Sequence, residues 1–235
     1  MRTTRIIRKL HKLTAGIVAV QVVLWMVSGL YMTSVPIDIV RGSHLVADKQ
    51  SQYLPSANIK PMDDILLSNK EVMSIELRMM RDVPVYQLKT KTGREFLNAV
   101  SGKPLKPVTE IEAKQIAKTV YLGEGELIQA NWISSDNAPA ELGGRTLPVW
   151  QIQYDDFWQS TLYISAYNGE VSAARSNIWR IFDFLWMLHI MDYDEREDFN
   201  NPLVIFMASI GTLLTLSGVL MLLHAIRRQG WKFSA

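Results

Sequence analysis

LTAGIVAVQVVLWMVSGLYM, residues 13–32, is the stretch whose reading decides the fold. It contains no charged side chain, and Gln21 and a few hydroxyls are its main polar groups. An α-helix needs about 20 such residues to cross a hydrocarbon core of roughly 30 Å. In lipid the backbone has only itself to bond to, which leaves the helix as the form open to a single segment. A second run, LVIFMASIGTLLTLSGVLMLL at residues 203–223, is equally free of charge. The sequence therefore predicts two antiparallel transmembrane helices.

The flanks orient them. Arg2, Arg5, Arg8, Lys9 and Lys12 precede the first run, Arg227, Arg228 and Lys232 follow the second, and neither end carries an acid. All 23 acidic residues lie between the runs, together with 17 of the 25 basic ones. By the positive-inside rule both ends are cytoplasmic and the intervening portion faces outward, into the periplasm of a bacterium. The first run is longer than a signal-peptide core, and no small-residue cleavage site follows at YMTSVPIDIV, so it reads as an uncleaved anchor in the inner membrane. The chain has no cysteine. That excludes disulfides, thiolate metal sites, iron–sulfur clusters and covalent c-type haem held by its own residues. No phosphate-binding glycine loop or nucleophile elbow is present, so hydrolase and nucleotide chemistry have no support. The basic residues of the ends gather at the membrane, and nothing points to nucleic acid.

Between the runs the pattern is α+β. After a basic N-terminus (1–12), the first span (13–32) and a connector (33–56) comes a unit at 57–108. It has a short helix over 62–68, a strand over 72–80 and a hairpin, PVYQLKT (84–90) with EFLNAV (95–100), turning at 91–93. A second unit at 109–177 opens on TEIEAKQIAKTVYL, where Thr109 and Glu112 have the spacing of a capping box. A strand over 127–133, a glycine-rich excursion (134–145), PVWQIQY and STLYISAYNGEV follow. Pro84-Val85-Tyr86-Gln87-Leu88 matches Pro148-Val149-Trp150-Gln151-Ile152 position by position, and FLNAVSGKPL matches LYISAYNGEV, which points to an internal duplication. An aromatic stretch, IWRIFDFLWMLHIM (178–191), reads as an interfacial helix or an extension of the second span. The acidic MDYDERED reads as a linker (178–202 in all), and a basic tail (224–235) closes the chain.

This order resembles the PepSY domain: a helix, then an antiparallel hairpin with a v-Y/W-q-v strand and a closing strand ending in G-E-V. The flanks resemble the PepSY-associated transmembrane family, in R-K-L-H-K-L-T-A-G before the first span and the Leu-His of WMLHIM before the second. The resemblance covers nearly the whole chain. Many members of that family have four spans, and this chain has two, which implies a shortened branch or completion by a partner subunit or a second copy.

The four histidines are the candidate functional residues. His11 and His224 fall on the cytoplasmic side, His44 and His189 on the outer side. Two neutral imidazoles on antiparallel helices suit the axial positions of a b-type haem, with small residues (Ala15, Gly16 and Ala19; Ala208, Gly211 and Gly218) allowing close approach. The competing reading of the inner pair is an interfacial contact with anionic lipid, and that of the outer pair a structural contact at the domain–membrane junction. Two faces about 30 Å apart disfavour a direct wire between the pairs. The acidic cluster at 192–198 lacks the spacing of a calcium loop. The resemblance implies a haem-bearing electron-transfer or reductase component acting toward a periplasmic metal, siderophore or flavin acceptor. The alternative is a non-redox periplasmic module that engages a partner protein or peptidase.

Overall fold

The computed structural model describes residues 2–48, 54, 58–68, 71–91 and 93–229. Thr92 of the expected hairpin turn, most of the later connector and Lys232 of the tail lie outside the described residues. The elements run α1 (Arg2–Ser34), α2 (Ile37–Val40), α3 (Met62–Ser68), β1 (Val72–Met80), β2 (Val83–Thr90) and β3 (Gly93–Asn98). Then come α4 (Glu110–Val120), β4 (Leu127–Ile133), β5 (Val149–Tyr154), β6 (Thr161–Ser165), β7 (Val171–Arg175), α5 (Asn177–Ile190) and α6 (Pro202–Gln229). They divide into a helical unit, Met1–Ile37 with Arg180–Ala235, and an α+β unit, Asp38–Trp179.

In the helical unit two long apolar helices pack together. As α1 runs from His11 to Trp25, the α6 residues it touches run back from Gly218 to Gly211, so the pair is antiparallel. The packed stripe of α1 is unusual in its chemistry. His11, Thr14, Val18, Gln21, Trp25 and Ser28 recur at alternating steps of three and four, the spacing that keeps one helix face on a partner. Thr14, Val18, Gln21 and Ser28 are buried, while Ile17, Val20, Val23, Val27 and Leu30 are exposed. Polar inside and apolar outside inverts the arrangement of a helix whose outer face meets water.

Helix α5 is a separate element rather than an extension of α6. Its last turn leaves carbonyls without intrahelical donors, and side chains from both long helices' vicinity satisfy them. Gln21 Nε2 donates to Leu188 O at 3.0 Å, Trp25 Nε1 to His189 O at 2.7 Å, and Asn201 Nδ2 to Ile190 O at 2.9 Å. Asn201 also caps α6, accepting from Val204 N at 3.0 Å, with Pro202 in the first-turn position where a missing N–H is harmless. The acidic stretch is a folded turn. The Asp192 carboxylate accepts from the backbone N–H groups of Asp194, Glu197 and Asp198. These bonds, that from Asp198 foremost, hold its carboxyl below the usual range.

The α+β unit contains two small antiparallel sheets, β1-β2-β3 and β4-β5-β6-β7. In the first, Ile65 of α3 packs on Tyr86, Leu88 and Leu97. In the second, Ala113 and Ala117 of α4 lie on Ile152, Leu162 and Ile164, while Tyr163 and Val149 on the other face meet Leu142 from the excursion before β5. The capping box forms as expected: Glu112 N donates to Thr109 Oγ1 and Thr109 N to Glu112 Oε2. These bonds from Thr109 lower the Glu112 pKa. β1, α3 and β4 match their expected bounds.

The duplicated segments occupy equivalent places. Tyr86 on β2 and Trp150 on β5 are aligned in sequence, and each donates to a carbonyl two residues before its unit's helix, Lys60 O at 2.7 Å and Val108 O at 2.8 Å. The units differ at the end: where the second has β7, the first has only a Leu97–Pro104 bridge. Residues 38–47 are not a free connector, because Ala47 N donates to Val120 O and Leu122 N to Leu45 O, which stitches them to α4.

Tyr154 stacks on Tyr121 with ring centroids 3.6 Å apart, and its buried hydroxyl has no hydrogen-bond partner. Burial pushes its pKa well above the ordinary 10.0. Burial penalises the phenolate and leaves the neutral phenol no bond to gain, so the fold is unaffected below the unfolded pKa and loses stability as pH rises from about 10 toward the folded value. Tyr154→Phe is therefore expected to leave stability at neutral pH unchanged or slightly higher. It should also blunt the loss of stability above about pH 10, as measured by thermal melts across alkaline pH.

Candidate functional site

Three of the four histidines belong to the helical unit, and two of them, His11 and His189, pack against a neighbouring helix in the same way. His11 of α1 lies against Ser217-Gly218 of α6, with Nδ1 2.8 Å from Ser217 Oγ. His189 of α5 lies against Ser28-Gly29 of α1, with Nδ1 2.7 Å from Ser28 Oγ. The same dipeptide, Ser-Gly, recurs in both apolar runs, and each copy seats an imidazole. Close approach at a glycine matters for the first seat, where an added Cβ would crowd the ring, and not for the second, where it would make an ordinary contact. A Cβ on Gly218 would stand 3.3 Å from His11 Cε1, and one on Gly29 3.8 Å from His189 Cε1.

The serines engage Nδ1 of each ring and leave Nε2 without a serine contact. A hydroxyl has one proton. Ser217 donates it to Leu214 O at 2.7 Å, and Ser28 to Leu24 O at 2.6 Å. With the hydroxyl proton on a carbonyl, each Oγ is free to accept an Nδ1–H from its histidine. In the neutral ring that places the lone pair on Nε2, the nitrogen a metal takes when the other is held by an outer partner.

His224 stands seven residues beyond Ser217, on the same face of α6 and about 10 Å further along its axis. It is exposed. Because side chains lean toward the start of their own helix, His11 and His224 on antiparallel helices lean toward one another. His44 belongs to the α+β unit, exposed on the single helical turn Ser43–Leu45, so the expected outer pair divides between the two units. The small residues divide as well. Gly211 and Gly218 are the contact glycines, whereas a Cβ on Gly16 would meet nothing within 4 Å and Ala19 is exposed.

Sequence reading missed Ser28, Ser217, Gln21 and Trp25. The available signal was the heptad spacing of polar residues along residues 11–28, which hydropathy alone averages away. Among the described residues no three His, Asp or Glu side chains converge to hold a bare metal ion.

The α+β unit has its own concavity, a groove of about 800 Å³ between the β1–β2 turn, α4 and the β6–β7 turn. Met80 and Ile116 supply apolar wall, and Arg81, Glu112 and Glu170 supply charge. Arg81 and Asp82 at its rim both hold positive φ, 50° and 62°. Comparison with protein families, with curated proteins and with solved structures finds no match to this chain.

Proposed function

We propose that this chain is a two-span bacterial inner-membrane protein of the PepSY type, with both ends cytoplasmic, that holds b-type haem and relays electrons toward a periplasmic acceptor. The membrane reading is supported by two helices long and apolar enough to span, and by the outward apolar and inward polar faces of α1. The observation that carries the cofactor reading is the His11–Ser217 bond, which orients the ring and leaves Nε2 as the ligating nitrogen. His224, two turns beyond Ser217 on the same face, supplies the second imidazole. Gly218 keeps the helix surface low beside the ring, and Ser217 would hold a proton on Nδ1 and so orient the ring. Haem b supplies one-electron chemistry when bound; the chain's part is to ligate, orient and exclude water.

The test is the reduced-minus-oxidised visible spectrum of the full chain, purified in mild detergent after expression with ample haem supply. A sharp b-type α band is expected, and a colourless preparation sinks the proposal. In that event the groove between the β1–β2 turn and α4 favours the second reading, a periplasmic module that grips a partner protein without redox chemistry.

A further inference from the structure

The β5–β6 connection carries the most exposed aromatic ring among the described residues, Phe157 at 85%, beside Trp158 at 44%. The two rings meet edge to face, with centroids 4.9 Å apart. An exposed pair of this size is costly in water, and here it is held rigidly. Asp156 accepts from Trp158 N, Ser160 N and Ser160 Oγ, and Gln159 N donates to Asp156 O. The neighbouring Asp155 carboxylate accepts from Glu126 N at 2.7 Å. Both acids of the turn are thereby held by donors of the chain itself, and Phe157 and Trp158 stand exposed at the tip with Gln159 and Asp155 beside them.

The turn is also tied to the chain that leads into the helical unit. Asn177 N donates to Trp158 O at 2.8 Å. Arg180, where the helical unit begins, is three residues on, at most about 11 Å of chain whatever angle the units adopt. Beyond it α5 exposes Ile181 and Phe184 and ends against Gln21 and Trp25 of α1. Aromatic side chains on a fixed turn this close to a spanning unit match the belt that Trp and its neighbours form at membrane surfaces.

We infer that the Phe157-Trp158 tip inserts into the outer leaflet of the bilayer and anchors the α+β unit to the lipid surface. The inference rests on the membrane reading and is independent of haem. The chain has no cysteine, so single nitroxide labels can be placed by Phe157→Cys, by Trp158→Cys and, as a lipid reference, by Val20→Cys on the exposed face of α1. Each labelled full-length protein is reconstituted in phosphatidylethanolamine–phosphatidylglycerol vesicles. Relaxation is then read with oxygen and with a water-soluble nickel chelate.

The labels at 157 and 158 are expected to favour oxygen over nickel and to report a depth of about 5–10 Å below the headgroup surface. Phe157 is so exposed that its replacement removes little beyond its edge contact with Trp158. Nickel access at both positions equal to that of free nitroxide in buffer, with Val20→Cys in lipid, overturns the anchor alone. A Val20→Cys label in water overturns the membrane reading beneath it.

Discussion

Gly42→Ala is expected to destabilise the α+β unit by about 2–5 kcal/mol, combining the penalty for a left-handed backbone with overpacking. Gly42 holds φ 72° and ψ 22°, a conformation that a side chain disfavours. An added Cβ would also stand 2.9 Å from Ala174 Cβ and 3.3 Å from the Ala174 carbonyl group. Ala174 cannot retreat easily, because β7 is paired to β6 with Ala174 opposite Leu162, and Leu162 is fully buried. Gly42 cannot retreat either: its neighbours Val40 and Leu45 are buried, and Leu45 N donates back to Gly42 O at 3.0 Å. Thermal melts of the full chain in detergent check the size of the loss. Adding Ala174→Gly to Gly42→Ala should restore the packing share, about 1–3 kcal/mol, and leave the backbone share. No restoration would mean that the contact with β7 is irrelevant.

That glycine shows where sequence reading stopped. The order of elements was legible because local signals are strong: an uncharged run long enough to span, alternating residues in β1, and a Thr–Glu spacing at α4 that closes the capping box. The duplicated Pro-Val-aromatic-Gln strand was legible as a repeat. What it does in each copy, reaching a carbonyl just before its own helix, depends on tertiary distance and was not. Residues 38–47 read as connector because they have no periodicity, yet Ala47 and Leu45 bond to the end of α4. A single backbone pairing of this kind leaves no trace in composition.

The histidines were legible as residues but not as partners. Topology paired them by membrane face, and the structure pairs each of His11 and His189 with a serine on another helix. Polar contacts inside an apolar bundle are made by small hydroxyls one helix away, which neither charge nor hydropathy registers. His11 reaches Ser217, six residues inside the end of the second apolar run. Along α1 the two histidine seats are 17 residues apart, from 11 to 28, or about 26 Å, so the case against direct coupling within one chain stands on contacts as well as on span length.

If haem is held as proposed, His11→Ala should remove the b-type band altogether, and Ser217→Ala should weaken haem binding about 10–100-fold, the usual effect of losing a histidine's outer partner. The serine variant deletes one oxygen acceptor. The ring then keeps its place on the helix but loses the bond that fixes the proton on Nδ1, so either nitrogen can carry the lone pair. A titration of the purified apo chain with haem, followed by absorbance, reads the affinity directly. Ser28→Ala makes the same chemical change at His189 and is expected to leave that titration unaltered, because His189 belongs to the other seat. Equal losses from both serines would argue that the polar stripe of α1 only holds the helices together. A loss confined to Ser28→Ala would move the cofactor from His11 to His189.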